Sequence, residues 1–250
     1  MFRYVHATKK EKFWNRHDNV VIGVSLQNPN LTGDRFEKVI EWVNRQANFK
    51  RCYVDFADTL NRHNYMLFDG LDEDAAHRKA IENGGAWLEA NASTLGKLNI
   101  PYQIMRWDRW LRHPRFPFVL HCMEQAYDTY EPFQKAVHDA IHVFFERRGL
   151  DQRCVQSKEY RHAVDFILEE ISVDTIIYES MKAAYIYPSK ETDAYKMVRE
   201  RKVPGVPHGL ENSYYVFLIA EQSEAETPKF KQRTAQNINE RYLFVGQRAA

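Results

Sequence analysis

The chain has 250 residues, 44% hydrophobic and 28% charged, with a formal net charge of +1. That is an ordinary globular composition, and its near-neutral balance gives no bulk electrostatic reason to expect a nucleic-acid partner, so a local patch would have to carry one. Cys52, Cys122 and Cys154 lack any C-x-x-C spacing, which argues against a disulfide framework or a zinc–cysteine site and suits a reducing cytosol.

Residues 1–16 are polar and carry Lys9, Lys10 and Lys12 without an apolar core, so no signal peptide is expected. No stretch approaches the roughly 20 apolar residues that span a bilayer. A cytoplasmic enzyme is the default expectation. Asn19 to Leu26 is a β-branched apolar run, read as a strand buried on both faces. Asp34 to Gln46 places Phe36, Val39, Ile40 and Val43 at helical spacing. Arg51 to Ala57 reads as a second strand, and strand–helix–strand over this length is a βαβ unit.

Asp72 to Leu98 reads as a helix capped by Asp72 or Asp74 and weakened by Gly84-Gly85. Pro101 to Trp107 is a third strand. Phe118 to Tyr130, Pro132 to Arg148 and Glu159 to Val173 are helices, with Pro132 suited to a first turn. Ala183 to Tyr187 and Tyr214 to Ala220 are late strands, and Lys202 to Gly209 is a loop rich in Pro and Gly. The expected fold is α/β: a Rossmann-like, doubly wound, mostly parallel sheet flanked by helices, in one domain over 1–250. Residues 1–17 are expected to be mobile and 223–250 to form a C-terminal extension.

In open α/β sheets, ligands bind beyond the carboxyl ends of the strands. Ser25 lies at that end of the first predicted strand. Taken alone it reads as a turn or helix-capping serine.

Its surroundings add more. Gly23-Val24-Ser25 closes an apolar strand and Asn28 follows. Downstream come Phe166-Ile167-Leu168-Glu169-Glu170 and then Tyr187-Pro188. Tyr53-Val54-Asp55, Arg106-Trp107 and Phe133 to Val137 stand between or before them in order. This set resembles the cyclodipeptide synthases, in which a G-x-S motif carries a nucleophilic serine, a Tyr-x-x-x-Glu helix follows, and a further tyrosine lies by the pocket. The family's fold is similar to the catalytic domains of tyrosyl- and tryptophanyl-tRNA synthetases. Here no H-I-G-H or K-M-S-K-S signature occurs, as expected of an enzyme whose amino acids arrive already activated. Tyr187-Pro188 matches one subfamily and Asn28 the other.

The resemblance implies an aminoacyltransferase that forms a cyclic dipeptide (a 2,5-diketopiperazine, a natural product) from two aminoacyl-tRNAs by a ping-pong route through esters on Ser25. An aminoacyl ester is a high-energy acyl donor, so neither ATP nor a metal is expected at the site and no cofactor is implied. Ser25 would be the nucleophile. Turn N–H groups after it could hold an oxyanion, and Gly23 would let the substrate backbone approach. Glu170 would hold the α-ammonium and later take its proton. Tyr187 would position the dipeptidyl ester, whose cyclisation is intramolecular. His162 and His208 are weak candidates for a general base.

Phe166 departs from the family pattern, since it cannot make the hydrogen bond a tyrosine would make to the amine; Tyr160, Tyr178 or Tyr185 could substitute. The resemblance also implies a pocket for the first amino acid's side chain lined by Val21, Gly23, Cys52, Val173 and Tyr185, beside Asn28, Phe166 and Pro188. A pocket narrowed by Tyr185 leans toward a smaller residue.

For the tRNA, the helix after the second strand offers only His77, Arg78, Lys79 and Lys97 among several acids. The alternative patch is Arg106, Arg109, Arg112, His113 and Arg115, interleaved with Trp107 and Trp110, a pattern suited to a single-stranded 3′ end. Lys229, Lys231 and Arg233 form a weaker candidate. A monomer is expected, with no membrane association, and tailoring enzymes acting on the product downstream. Two other readings stay open: a non-catalytic tRNA- or RNA-binding module on the same fold, and an α/β hydrolase, which would want Gly where Gln27 stands. A dinucleotide-binding oxidoreductase is disfavoured because no G-x-G-x-x-G follows the first strand.

Overall fold

The computed structural model describes residues 2–7, 17–26, 28–149, 158–187, 191–212 and 214–220. Its strands are β1 (Phe2–Ala7), β2 (Asn19–Ser25), β3 (Arg51–Ala57), β4 (Tyr102–Arg106), β5 (Ala184–Tyr187) and β6 (Tyr214–Ala220). They form one sheet in the order β1-β6-β5-β2-β3-β4. All neighbours pair in parallel except β1, which runs antiparallel to β6 at the edge. The chain moves outward from β2 through β3 to β4, then returns to the other side of β2 as β5 and β6. The strand order therefore reverses at β2/β5, and a crevice at the carboxyl ends of those strands is where such sheets bind ligands.

Helices α1 (Gly33–Asn44) and α3 (Glu73–Leu95) cover one face. Val20, Ile22, Val24, Cys52, Val54 and Phe56 meet Phe36, Val39, Ile40 and Trp87 there. The other face carries α2 (Arg62–Asp69), α4 (Asp108–Leu111), α5 (Phe116–Thr129), α6 (Glu131–Arg147), α7 (Lys158–Met181) and α8 (Asp193–Arg199). Its core joins Val21, Met105, Trp107, Phe133, Leu168, Val173 and Tyr185. Both central strands are apolar on both faces because each face is roofed by helices.

The sequence elements recur with small shifts, and three differences have physical reasons. Residues 2–7, expected to be mobile, form the edge strand against β6. Helix α3 runs unbroken through Gly84-Gly85, with Asp72 as its cap accepting from the Ala75 amide at 2.8 Å. Gly84 is there for space: a Cβ would stand 2.8 Å from Asp58 Cβ and 3.1 Å from the Arg106 guanidinium. Helix α7 continues past Val173 to Met181, since nothing in that stretch stops a helix before Lys182, which adopts a positive φ of 44°. Among the described residues, no helix is long and apolar enough to cross a membrane.

Candidate active site at the carboxyl ends of β2 and β5

Side chains alternate along a strand, so pairing register decides which of them share a face. Gly23 pairs with Asp55 and Ser25 with Ala57, while Val21 pairs with Tyr185 two residues before Tyr187. Gly23, Ser25, Asp55, Ala57, Tyr185 and Tyr187 thus point to the α7 side. Together with Val24, Trp107, Glu170 and Asp174 they line a cavity of about 20 Å³, room for about one water-sized group. The Tyr187 hydroxyl faces the side chains of Ser25 and Asn28. Asn28 is fixed in turn, its side-chain Oδ1 accepting from the Asn30 backbone N–H at 3.0 Å and its own backbone N–H closing a turn onto the Ser25 carbonyl at 3.1 Å.

Tyr185 forms the floor. Its hydroxyl donates to Asp55 Oδ2 at 3.2 Å, and Trp110 Nε1 donates to Asp55 Oδ1 at 2.8 Å. The Tyr185 ring lies on Gly23, where a Cβ would fall 2.5 Å from its Oη. Gly23 is therefore required by a neighbouring side chain, and the space above it belongs to Tyr185.

Three carboxyls share this enclosure. Burial pushes Asp55 up to about 7, opposed by its hydrogen bonds from Trp110 and Tyr185. Burial, and then the nearby Asp55 charge, push Glu170 up to about 7 as well. Glu170 keeps a partial opening to the cavity but is packed round at short range. Asp174, one helical turn on, is raised well above the usual range by burial and by Glu170 and Asp55, with a hydrogen bond from Tyr195 opposing. Carboxyls this close titrate as a set. A proton can be held or moved near Ser25 at neutral pH, as acid–base chemistry needs. Tyr187 is likewise raised by burial and by Glu170, so its hydroxyl stays protonated.

Glu169 has the opposite surroundings. Arg62 grips it with both terminal nitrogens, at 2.8 and 2.5 Å, His63 Nε2 lies at 3.1 Å, and Trp107 Nε1 donates at 2.8 Å. Burial alone would raise its carboxyl; hydrogen bonds from His63 and Arg62 and the Arg62 charge hold it down to about 2. Glu169 is a permanent anion that anchors α2 and Trp107 to α7.

A family model of the cyclodipeptide synthases matches residues 4–175. The chain belongs to the cyclodipeptide synthase family. Among solved structures, a synthase from Fluoribacter dumoffii is 25% identical with a TM-score of 0.73, over 87% of this chain and 96% of that one. A cyclodipeptide synthase from Candidatus Glomeribacter gigasporarum bound to Phe-tRNA is 18% identical, with a TM-score of 0.61 over 86% and 92% of the two chains. A Mycobacterium tuberculosis protein, described as relating these enzymes to type I tRNA synthetases, is 16% identical with a TM-score of 0.60 over 82% and 87%. No curated protein sequence matches.

Within the synthase fold, Ser25, Glu170, Tyr187, Gly23 and Tyr185 converge on the cavity and Asn28 reaches it through Tyr187. Val21 and Val173 lie beneath it as fully buried core. Cys52 corrects the expected lining. It sits one position out of phase with the strand face that carries Tyr53 and Asp55, in the core under α1 and α3, where burial pushes its thiol up to about 12. Phe166 stays outside the lining and packs edge-on to His63, with ring centroids 6.5 Å apart. Of the tyrosines that could replace its missing hydroxyl, Tyr185 lines the cavity, Tyr178 packs behind it at 5.2 Å, and Tyr160 pairs with His138 elsewhere. Pro188 and Cys154 lie outside the described residues, as do Lys229, Lys231 and Arg233. Neither His162 nor His208 reaches the cavity, and among the described residues its lining holds no histidine.

The basic residues divide. Arg106 donates to the buried Asp58 at 2.5 Å, Lys79 pairs with Asp69 at 2.9 Å, Lys97 with Glu37 at 2.6 Å, and Arg115 with Glu179. Arg78, Arg109 and Arg112 are exposed, Arg112 reaching Asp108 only at 3.6 Å. Trp107 and Trp110 are buried at 1% and 3%, their N–H groups committed to Glu169 and Asp55. They cannot stack on nucleotides as the interleaved sequence suggested. A wider groove of about 280 Å³ between α6 and α8 is lined by charges of both signs and contains none of the motif residues.

Sequence reasoning missed Asp55 and Asp174 as site residues. Each carries a signal: Asp55 is a lone acid in an apolar strand, and Asp174 follows Glu170 by four residues on one helix face.

Proposed function

We propose that this synthase joins the amino acids of two aminoacyl-tRNAs into a cyclic dipeptide through aminoacyl and dipeptidyl esters on Ser25. The observation that carries this reading is the convergence of Ser25, Tyr187 and Glu170 on one cavity, with the Tyr187 hydroxyl facing Ser25 and Asn28 and the Glu170 carboxyl at about 7. In the first step Ser25 Oγ attacks the ester carbonyl, the acyl–oxygen bond to the tRNA ribose breaks, and the ribose oxygen leaves with the serine proton. Ester exchange is near thermoneutral, so no ATP or metal is called for.

The amine of the Ser25-bound amino acid then attacks the second aminoacyl-tRNA, giving a dipeptidyl ester and a second free tRNA. Glu170 takes the proton that makes this amine nucleophilic, a task suited to a carboxyl near neutrality. The terminal amine finally attacks the ester carbonyl on Ser25, and the serine oxygen leaves, reprotonated through Tyr187. Both chemical partners are tethered, which gives a high effective molarity.

A cavity of about 20 Å³ takes an acyl group only as side chains at its mouth swing aside. Tyr185 on its floor favours a small first side chain. Arg78, Arg109 and Arg112 supply exposed positive charge for the tRNA backbone. The enzyme acts as a cytoplasmic monomer, and its product passes to tailoring enzymes.

The test is mass spectrometry of medium from cells expressing wild type and Ser25→Ala. A cyclic dipeptide from wild type alone supports the reading. A folded wild type that yields none, with aminoacyl-tRNAs supplied, overturns it and favours the binding module.

A further inference from the structure

Behind the Trp107 wall of the cavity, α2 and α7 bring His63, His162 and Asp165 together, with one ligand atom of each within 4.8 Å of the others. His162 and Asp165 stand three apart on α7 and so share a face. His63 meets them from α2, which packs directly on α7. Its ring is only 7% exposed. Nε2 is taken by Glu169 at 3.1 Å, which leaves Nδ1 to face a ligand. That Nδ1 is buried with no hydrogen-bond partner among the described residues, and so is Nδ1 of His162. Buried polar nitrogens are normally satisfied, and two bare ones in a single cluster ask for an explanation.

The surroundings are those of a metal ligand. A carboxylate that fixes the far nitrogen of an imidazole is the usual outer partner of a ligating histidine. Glu169 fills that place and is itself held by Arg62 and Trp107. The positive groups nearby are already paired, Arg62 with Glu169, and Arg161 with Asp165 Oδ1 at 2.7 Å and Glu124 at 3.7 Å. The second carboxylate oxygen of Asp165 remains for an ion. Two imidazoles and a carboxylate suit zinc, cobalt or nickel, whereas magnesium and calcium want oxygen ligands. Ligand atoms around a tetrahedral zinc lie about 3.3 Å apart, so modest side-chain rotation closes the set.

We propose that His63, His162 and Asp165 form a binding site for a divalent transition-metal ion of the zinc class, separate from the acyl-transfer cavity, that ties α2 to α7. Three protein ligands leave a fourth position for water.

The test uses the full chain, treated with chelator and titrated with Co²⁺, following visible d–d absorption, then with Zn²⁺ in competition. Thermal melts with and without Zn²⁺ run in parallel. The expected result is one equivalent of Co²⁺ displaced by Zn²⁺ and a rise in melting temperature with Zn²⁺. His162→Ala and Asp165→Asn should fold, by circular dichroism, yet bind at least about tenfold more weakly. Neither change touches the Ser25 cavity, so product formation gives a separate readout. No saturable cobalt band in wild type, unchanged affinity in both variants, or an equal thermal shift with Mg²⁺ would each overturn the proposal.

Discussion

Glu169 and Glu170 are neighbours in the chain, and α7 presents them to different worlds. Glu169 meets a guanidinium, an imidazole and an indole N–H, and is held down to about 2. Glu170 faces two further carboxyls across the cavity and is pushed up to about 7. A helix turns about 100° per residue, so consecutive acids cannot share one environment. One is spent on architecture and the other is kept ready to exchange a proton. What separates them is the partner each side meets, since both are the same side chain.

The sharpest way to break the comparison is Glu170→Gln, which keeps the shape and removes the proposed base. Cyclic dipeptide formation should fall by about 10²–10⁴, read as product per enzyme, with thermal stability at pH 8 unchanged or slightly higher. Glu169→Gln should do the reverse. It strands Arg62 and costs about 3–5 kcal/mol of stability, measured by urea unfolding. Equal effects of the two changes on stability would end the distinction. Gly23→Ala forces the Tyr185 ring off the floor and should cost about 1–3 kcal/mol, with loss of product because Ser25 shares that wall.

The proton inventory sharpens the same contrast. Asp55, Glu170 and Asp174 hold protons in the fold that they lose near pH 4 when unfolded, so wild-type stability should fall as pH rises above about 4, through the range near 7 where Asp55 and Glu170 ionise, with Asp174 adding to the decline in the same direction. Asp55→Asn should flatten that slope in urea melts taken across the window. Activity should rise with pH through about 7 as Glu170 ionises. Smallest of all, Arg109→Ala with Arg112→Ala should leave stability within about 0.5 kcal/mol while raising KM for aminoacyl-tRNA and weakening its salt dependence.

Most of the fold is legible because its strands are apolar on both faces and its helices carry clear periodicity. Ser25, Asn28, Glu170 and Tyr187 are legible through their order in the chain and the resemblance it carries. Cys52 is misplaced for a different reason. Which parity of a doubly buried strand faces which layer depends on register, and an apolar run such as Arg51 to Ala57 does not announce it. The same ambiguity hides Asp55, whose face becomes evident only once it pairs beside Gly23. Trp107 and Trp110 look like a stacking platform because their basic neighbours are visible in sequence, whereas the buried carboxylates that claim their N–H groups come from α7 and β3. His63, His162 and Asp165 are scattered in sequence and meet only through helix packing.

The ring of Tyr185 resting on the bare backbone of Gly23 makes positions 23 and 185 communicating volumes. Trimming residue 185 to leucine or valine would hand its space to the substrate without moving a strand, whereas adding bulk at 23 takes space from both. Product spectrum should therefore drift through residue 185 while residue 23 stays fixed, and a library randomised at 185 alone is the shortest route to an enzyme with a larger first amino acid.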